Sequence, residues 1–334
     1  VTTEPHVPNP TFDANGMTPS TDVAAHMVRA IVDEVAKAIV GKRDALELIL
    51  AGLLGDGHVL LDDVPGVAKT LTARSIAVAA GLSFSRVQFT PDVLPADITG
   101  ATVLDLATRE ARFRPGPIFA SLVLADEINR APAKTQAALL EAMQERQTTA
   151  DGVSHALPTP FLVIATQNPI ESEGTYPLPE AQLDRFILRT TIGLPDRTDE
   201  IEIVQRRLGR GTDDVALRPV LAPGVFRQLQ LALERVQVDP AITAYIVDLV
   251  QATRAARELA VGASPRGSLA VMKLSRARAV IAGRDFVTPD DVKSVALPAL
   301  AHRVVLSPEA WARRVDPLVV VESAIRSVAA PSWQ

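Results

Sequence analysis

Short apolar runs recur at intervals through the first two thirds of the chain. They are His58–Leu61, Val87–Phe89, Leu122–Ala125, Leu162–Thr166 and Ile187–Ile192. Most are nearly continuous in apolar residues rather than alternating, the mark of strands buried on both faces of a parallel sheet. Helical repeats separate them. Val23, Met27, Ile31 and Val35 recur every four residues within Thr21–Ala38, and Gln136, Leu139, Leu140 and Met143 share one face of Ala133–Arg146. Strand and helix in alternation predict a three-layer αβα domain.

Two further segments predict β-hairpins added to that scaffold. Thr102–Leu106 pairs with Ala111–Arg114 across a polar turn. Gln147–Ala150 and Val153–Ala156 flank Asp151-Gly152, a favourable two-residue hairpin turn. After Leu194 strand signals disappear. Helices are predicted at Pro223–Val236, Pro240–Leu259, Arg266–Ile281 and Pro289–Leu300, with a final segment after Pro308. Thr288-Pro289-Asp290-Asp291 has a capping hydroxyl, Pro at the first helical position and acids in the first turn. Residues 1–20, rich in Pro, Thr and Asn without apolar periodicity, read as a disordered tail. The expected division is a core over 21–195, a linker over 196–220 and a helical domain over 221–334.

Composition narrows the function classes. At 334 residues, 47% hydrophobic and 22% charged, the chain can build two cores. A net charge of −5 without a basic block gives no push toward nucleic acid. The absence of cysteine excludes disulfides, thiolate metal sites and cysteine nucleophiles. The five histidines, His6, His26, His58, His155 and His302, lack metal-ligand spacing. No apolar run reaches the ~20 residues of a membrane helix, and no secretory signal is evident, so a cytoplasmic location is expected.

Three strand ends carry chemistry. Leu60 to Thr70 reads Leu-Leu-Asp-Asp-Val-Pro-Gly-Val-Ala-Lys-Thr, following a buried strand and opening a helix. That is the context of a phosphate-binding loop, with Lys69 for the phosphates, Thr70 for Mg²⁺ and backbone N–H groups around the anion. Asp63 and Ala68 occupy the two positions where G-x-x-x-x-G-K-[ST] has glycine. Gly66 can form the tight turn, and a negative φ at Ala68 would let the loop close. Asp63 brings a charge near the phosphates unless it points away. The alternative is a strand-to-helix turn with a solvated lysine. Leu122–Glu127 is an apolar strand ending in Asp126 and Glu127, an acid for the metal shell and an acid for the attacking water, or else a helix start. Val163–Asn168 is a third buried strand, ending in Asn168, which positions water or caps the turn before Pro169.

Together these residues resemble the MoxR branch of the AAA+ ATPases. The strings that carry the resemblance run from Ala125 through Asp126-Glu127-Ile128-Asn129-Arg130-Ala131-Pro132 to Met143, from Ala165 to Glu171, and from Glu173 to Phe186. The resemblance implies ATP and Mg²⁺ as ligands. It makes Lys69 and Thr70 the Walker A pair, within a nucleotide-binding loop of Val64, Pro65, Gly66, Val67, Ala68 and Leu71. Asp126 and Glu127 become the Walker B acids and Asn168 sensor 1. Arg185 becomes an arginine finger for a neighbouring subunit, and Arg266, in Ser264-Pro265-Arg266, becomes sensor 2, in cis or in trans. Val40 and Gly41 would lie near the adenine. It further implies a hexameric ring, a von Willebrand factor A domain partner and a client protein complex matured by ATP-driven remodelling. A nucleic-acid motor and a nucleotide-gated scaffold with little hydrolysis are the competing functions. Acidic charge argues against the first, and retention of Glu127, Asn168 and Arg185 against the second.

Overall fold

The computed structural model describes residues 18–105, 109–169 and 174–331. The tail through residue 17, Leu106 at the end of the first hairpin strand, and Ile170, Glu171 and Glu173 lie outside the described residues. The first part of the chain runs α1 (Thr21–Val35), α2 (Arg43–Leu54), β1 (His58–Asp62), α3 (Lys69–Ala79), β2 (Phe84–Gln88), α4 (Pro95–Thr99), β3 (Gly100–Asp105) and β4 (Glu110–Pro115). It continues with β5 (Leu122–Asp126), α5 (Ala133–Glu145), β6 (Gln147–Ala150), β7 (Val153–Ala156), β8 (Leu162–Gln167), α6 (Glu180–Leu183) and β9 (Phe186–Thr190). The last part holds α7 (Arg197–Arg210), α8 (Val225–Ala232), α9 (Pro240–Ala255), β10 (Leu259–Val261), α10 (Pro265–Ile281), α11 (Pro289–Leu300), β11 (Val305–Leu306), α12 (Pro308–Ala312) and α13 (Pro317–Ser327).

All five buried runs form one parallel sheet in the order β2-β5-β8-β1-β9. Successive residues of each strand point to opposite faces. Val59, Leu61, Leu122, Leu124, Leu162 and Ile164 enter one hydrophobic cluster, while Leu60, Val123, Ala125, Val163 and Ala165 enter another. The first cluster continues through α1, α2 and α3 into α8, α9, α10 and α11, so the helical region shares a core with one face of the sheet. The second is closed by α5, where Leu139, Leu140 and Met143 are buried. Gln136 on the same face is also buried, and its amide donates to the carbonyls of Ile128, Ala131 and Tyr176.

Both hairpins form. β3 pairs antiparallel with β4 and β6 with β7, the latter turning at Asp151-Gly152. They touch each other, since Phe113 of β4 stacks on His155 of β7 with ring centroids 3.7 Å apart.

Two expectations need correction. The segment read as a linker contains α7, a 14-residue helix. Its signals are in the sequence: the Asp196 carboxylate caps it by accepting from the Asp199 N–H, and Gly211 ends it at φ +72°. The chain then returns to the core, with the Val220 N–H donating to the Ala79 carbonyl at 2.9 Å. The region after Leu194 is not purely helical either. Leu259, read as the last residue of a helix, instead opens a strand, Leu259–Val261, paired with Val305–Leu306. At α11 the sequence reading holds: Thr288 and Asp291 cap each other's backbone N–H groups as a capping box.

Candidate nucleotide-binding site

The carboxyl ends of β1, β5 and β8 lie side by side because the three strands are parallel neighbours, and open α/β sheets bind ligands at that end. There the structure brings together Lys69, Thr70, Asp126, Glu127 and Asn168. Lys69 opens α3, and its ammonium donates to the carbonyls of Asp63 and Gln167. Burial pushes the Lys69 pKa down, against the raising pull of Asp63 and Asp126. No side chain caps the start of α3, so its first-turn N–H groups are available to an anion. Gly66, at φ +85°, sits at the exposed crest, where an added Cβ would meet no atom within 4 Å. Pro65 is exposed beside it, Val64 is half-buried, Val67 anchors the loop in the core and Leu71 is partly exposed.

One residue of this loop departs from the sequence reading, and a second settles an alternative that the reading left open. Ala68 adopts φ +61°, ψ 28°, the left-handed region, rather than the negative φ expected. The position wants glycine, and alanine here carries about 1–2 kcal/mol of strain. Asp63, by contrast, does not face the phosphates. Its carboxylate is buried and accepts three backbone N–H bonds, from Val64 at 2.8 Å and from Ile192 and Gly193 at 2.7 Å each. It ties the start of the loop to the chain leaving β9.

Besides Thr70, the acids at the end of β5 are held by residues to which the sequence reading gave no role. The Asp126 carboxylate accepts from the Thr70 hydroxyl at 3.1 Å, the Thr166 hydroxyl at 2.7 Å and the Arg86 guanidinium at 2.8 Å. Glu127, at φ +57°, receives Gln88 at 2.8 Å and Arg130 at 3.0 Å on one carboxylate oxygen. Arg86 and Gln88 alternate on β2, which pairs directly with β5, so both reach across one strand spacing. The Thr70 hydroxyl and Asp126 carboxylate fit a hard divalent cation that binds through oxygen. Asn168 is buried immediately after β8. Val40 is buried and Gly41 has φ +69°. A Cβ on Gly41 would lie 1.7 Å from the Asp199 carboxylate of α7, which would have to swing away, and the φ of +69° itself favours glycine.

Arg185 and Arg266 are elsewhere. Arg185 precedes β9, whose first residue pairs with His58 at the beginning of β1. The two arginines line a cleft of about 260 Å³ with Asp56, Gly57 and His58, at the amino ends of the strands. Arg266 lies 3.8 Å from Asp184, which is also paired with the buried Arg303 at 2.7 Å. A strand of five residues separates this cleft from the phosphate loop, roughly 15 Å at the usual rise. His58 and His302 are structural: each is buried and bonded to a backbone carbonyl, Met143 for one and Phe186 for the other. Desolvation pushes both pKa values down to about 3.

Comparison with known proteins agrees with this geometry. Residues 58–188 match the family described as ATPase family associated with various cellular activities (AAA), and residues 251–324 match an AAA lid domain. The chain is 46% identical to the uncharacterized protein YeaC of Bacillus subtilis over 300 residues, covering 90% of this chain and 93% of that protein. It is 44% identical over 315 residues to Chaperone MoxR1 of Mycobacterium tuberculosis, covering 92% and 83%. To the protein MoxR of Methylorubrum extorquens it is 32% identical, covering 92% and 94%. A crystal structure from Cytophaga hutchinsonii, of a protein proposed to be an ATPase, superposes with a TM-score of 0.86 at 36% identity, covering 93% and 97%. With a phosphate loop at one end of the sheet, a helical lid packed on its face and relatives matching nearly end to end, the chain belongs to the MoxR family of AAA+ ATPases.

Proposed function

We propose that the chain hydrolyses ATP with Mg²⁺ at a site completed by a second copy, and uses the energy to remodel a client protein complex. The observation that carries this reading is the separation of two half-sites. Lys69, Thr70, Asp126, Glu127 and Asn168 gather at the carboxyl ends of the strands, whereas Arg185 and Arg266 gather at the amino ends. One molecule's arginines cannot reach its own phosphate loop across the length of the sheet. A head-to-tail ring, hexameric by family resemblance, juxtaposes the two half-sites.

Within this reading Lys69 and the N–H groups opening α3 bind the phosphates, and Val40 and Gly41 border the base. Thr70 and Asp126 would hold Mg²⁺, which supplies charge neutralisation on the phosphate oxygens. Glu127 accepts a proton from the attacking water after leaving Gln88 and Arg130, and Asn168 orients that water. Arg185 brings positive charge to the neighbour's phosphates, an effect worth about 10³–10⁵ in rate for such fingers. The paired hairpins and the lid are the elements that move. A client complex and a von Willebrand factor A domain protein are the expected partners, acting in the cytoplasm.

The test is ATP turnover with Mg²⁺ across protein concentration, with sedimentation alongside, for wild type, Glu127→Gln and Arg185→Ala. Turnover per subunit should rise as rings assemble, and both variants should lose it. Assembled wild type that binds ATP without turning it over would defeat the motor and leave a nucleotide-gated scaffold. Stimulation by DNA would redirect the reading to a nucleic-acid motor.

A further inference from the structure

The cleft at the amino ends of the strands holds more positive charge than its own acids use. Arg146, Arg185, Arg266, Lys273 and Arg303 line it, against Asp56 and Asp184. Both carboxylates are already engaged. Asp184 meets Arg303 at 2.7 Å and Arg266 at 3.8 Å, and Asp56 meets Arg146 at 3.4 Å and Arg227 at 3.7 Å. Among the described residues, Arg185 and Lys273 have no side-chain acceptor, and the Arg185 Nε is buried without one. Lys273 lies seven residues after Arg266 on α10, so the two project from the same face of that helix. Lys273 also adds to the positive field on the buried His58.

An open cleft with two unpaired cations is built to receive an anion. The chain's own phosphate loop lies at the far end of the sheet, so a nucleotide bound there cannot supply it. Resting on the function proposed above, we propose that Lys273 contacts the phosphates of the nucleotide held by the adjacent copy, as a second cation beside Arg185. An ammonium on a four-carbon stem acts as a point charge that follows the phosphate chain, while the planar guanidinium of Arg185 takes a fixed position. Arg266, leaning on Asp184, is less free to do so.

Complementation in mixed rings tests this. Glu127→Gln subunits keep Lys273 but cannot hydrolyse at their own site, and Lys273→Ala subunits keep a hydrolytic site but lack the donated cation. Lys273→Ala alone should lose about 10–100-fold in turnover per assembled subunit, and Lys273→Arg should retain most of it. A one-to-one mixture of Glu127→Gln and Lys273→Ala should exceed the average of the two, because Lys273→Ala sites then face intact donors. Lys273→Met, which keeps the apolar stem, should behave like Lys273→Ala and assemble with saturating nucleotide. Wild-type turnover in Lys273→Ala, a mixture that only averages, or failure of both neutral variants to assemble would each overturn the proposal. The first two results, in a background where Arg185→Ala is inactive, leave the parent reading standing. Inactive wild type would sink that reading instead.

Discussion

Asp63 offers a sharp test of how the phosphate loop is held. Its buried carboxylate accepts one N–H from Val64 on Oδ1 and two, from Ile192 and Gly193, on Oδ2. Asn is isosteric but has one acceptor oxygen and one NH₂ donor. With the oxygen toward Val64, two backbone donors would face the NH₂. With the oxygen toward Ile192 and Gly193, only the Val64 N–H is stranded, so this orientation is adopted. Stranding one buried donor costs about 1–3 kcal/mol. Asp63→Ala strands all three, less whatever entering water recovers, and should cost at least about twice as much as Asp63→Asn. Urea unfolding of the nucleotide-free protein gives the stabilities, and titration with a fluorescent ATP analogue gives the affinities. Affinity should fall in the same order, because the loop loses its tie to the strand beside it. An Asp63→Asn variant within about 0.5 kcal/mol of wild type, or an Ala variant more stable than the Asn one, would refute the reasoning.

Three other outcomes follow from named contacts. Ala68→Gly removes about 1–2 kcal/mol of left-handed strain but restores about 0.4–1 kcal/mol of unfolded-chain entropy. Thermal melting should therefore show a neutral to slightly stabilised protein, whereas Ala68→Val, branched at the same φ of +61°, should melt lower and lose nucleotide affinity. Gly41→Ala would drive a Cβ into the Asp199 carboxylate and strain a φ of +69°; nucleotide titration should show weakened binding. His58 and His302 are buried neutral, with pKa values near 3 against about 6.5 unfolded. Their stabilisation is present above pH 6.5 and lost as pH falls toward 3, at about 1.4 kcal/mol per pH unit for each group. Replacing either His with Gln should flatten the melting temperature across that window, and an unchanged slope would remove His titration as the cause.

The order of the core strands along the chain and the helices at α1, α3 and α5 were legible in the sequence because local chemistry dictates them. Continuous apolar runs such as Leu122–Ala125 can only be buried on both faces, and Asp151-Gly152 closes a hairpin from its own backbone preferences. Thr288 and Asp291 cap a helix without needing anything outside it. That Lys69, Thr70, Asp126 and Glu127 would come together was legible too, because each stands at or just beyond a strand end and parallel strands put those ends side by side. What the sequence left undetermined depends on partners distant along the chain. Asp63 reads as a misplaced charge until β1 and β9 pair and bring Ile192 and Gly193 to it. Arg86 and Gln88 look like ordinary strand polar residues until β2 docks on β5. The left-handed turn at Ala68 is imposed by the loop closing onto α3, against the residue's own preference. That Arg185, Arg266 and Lys273 share one cleft, facing away from the phosphate loop, follows from the packing of α10 against β9. Local preference chose the elements, and only their packing decided which side chains could act on one ligand.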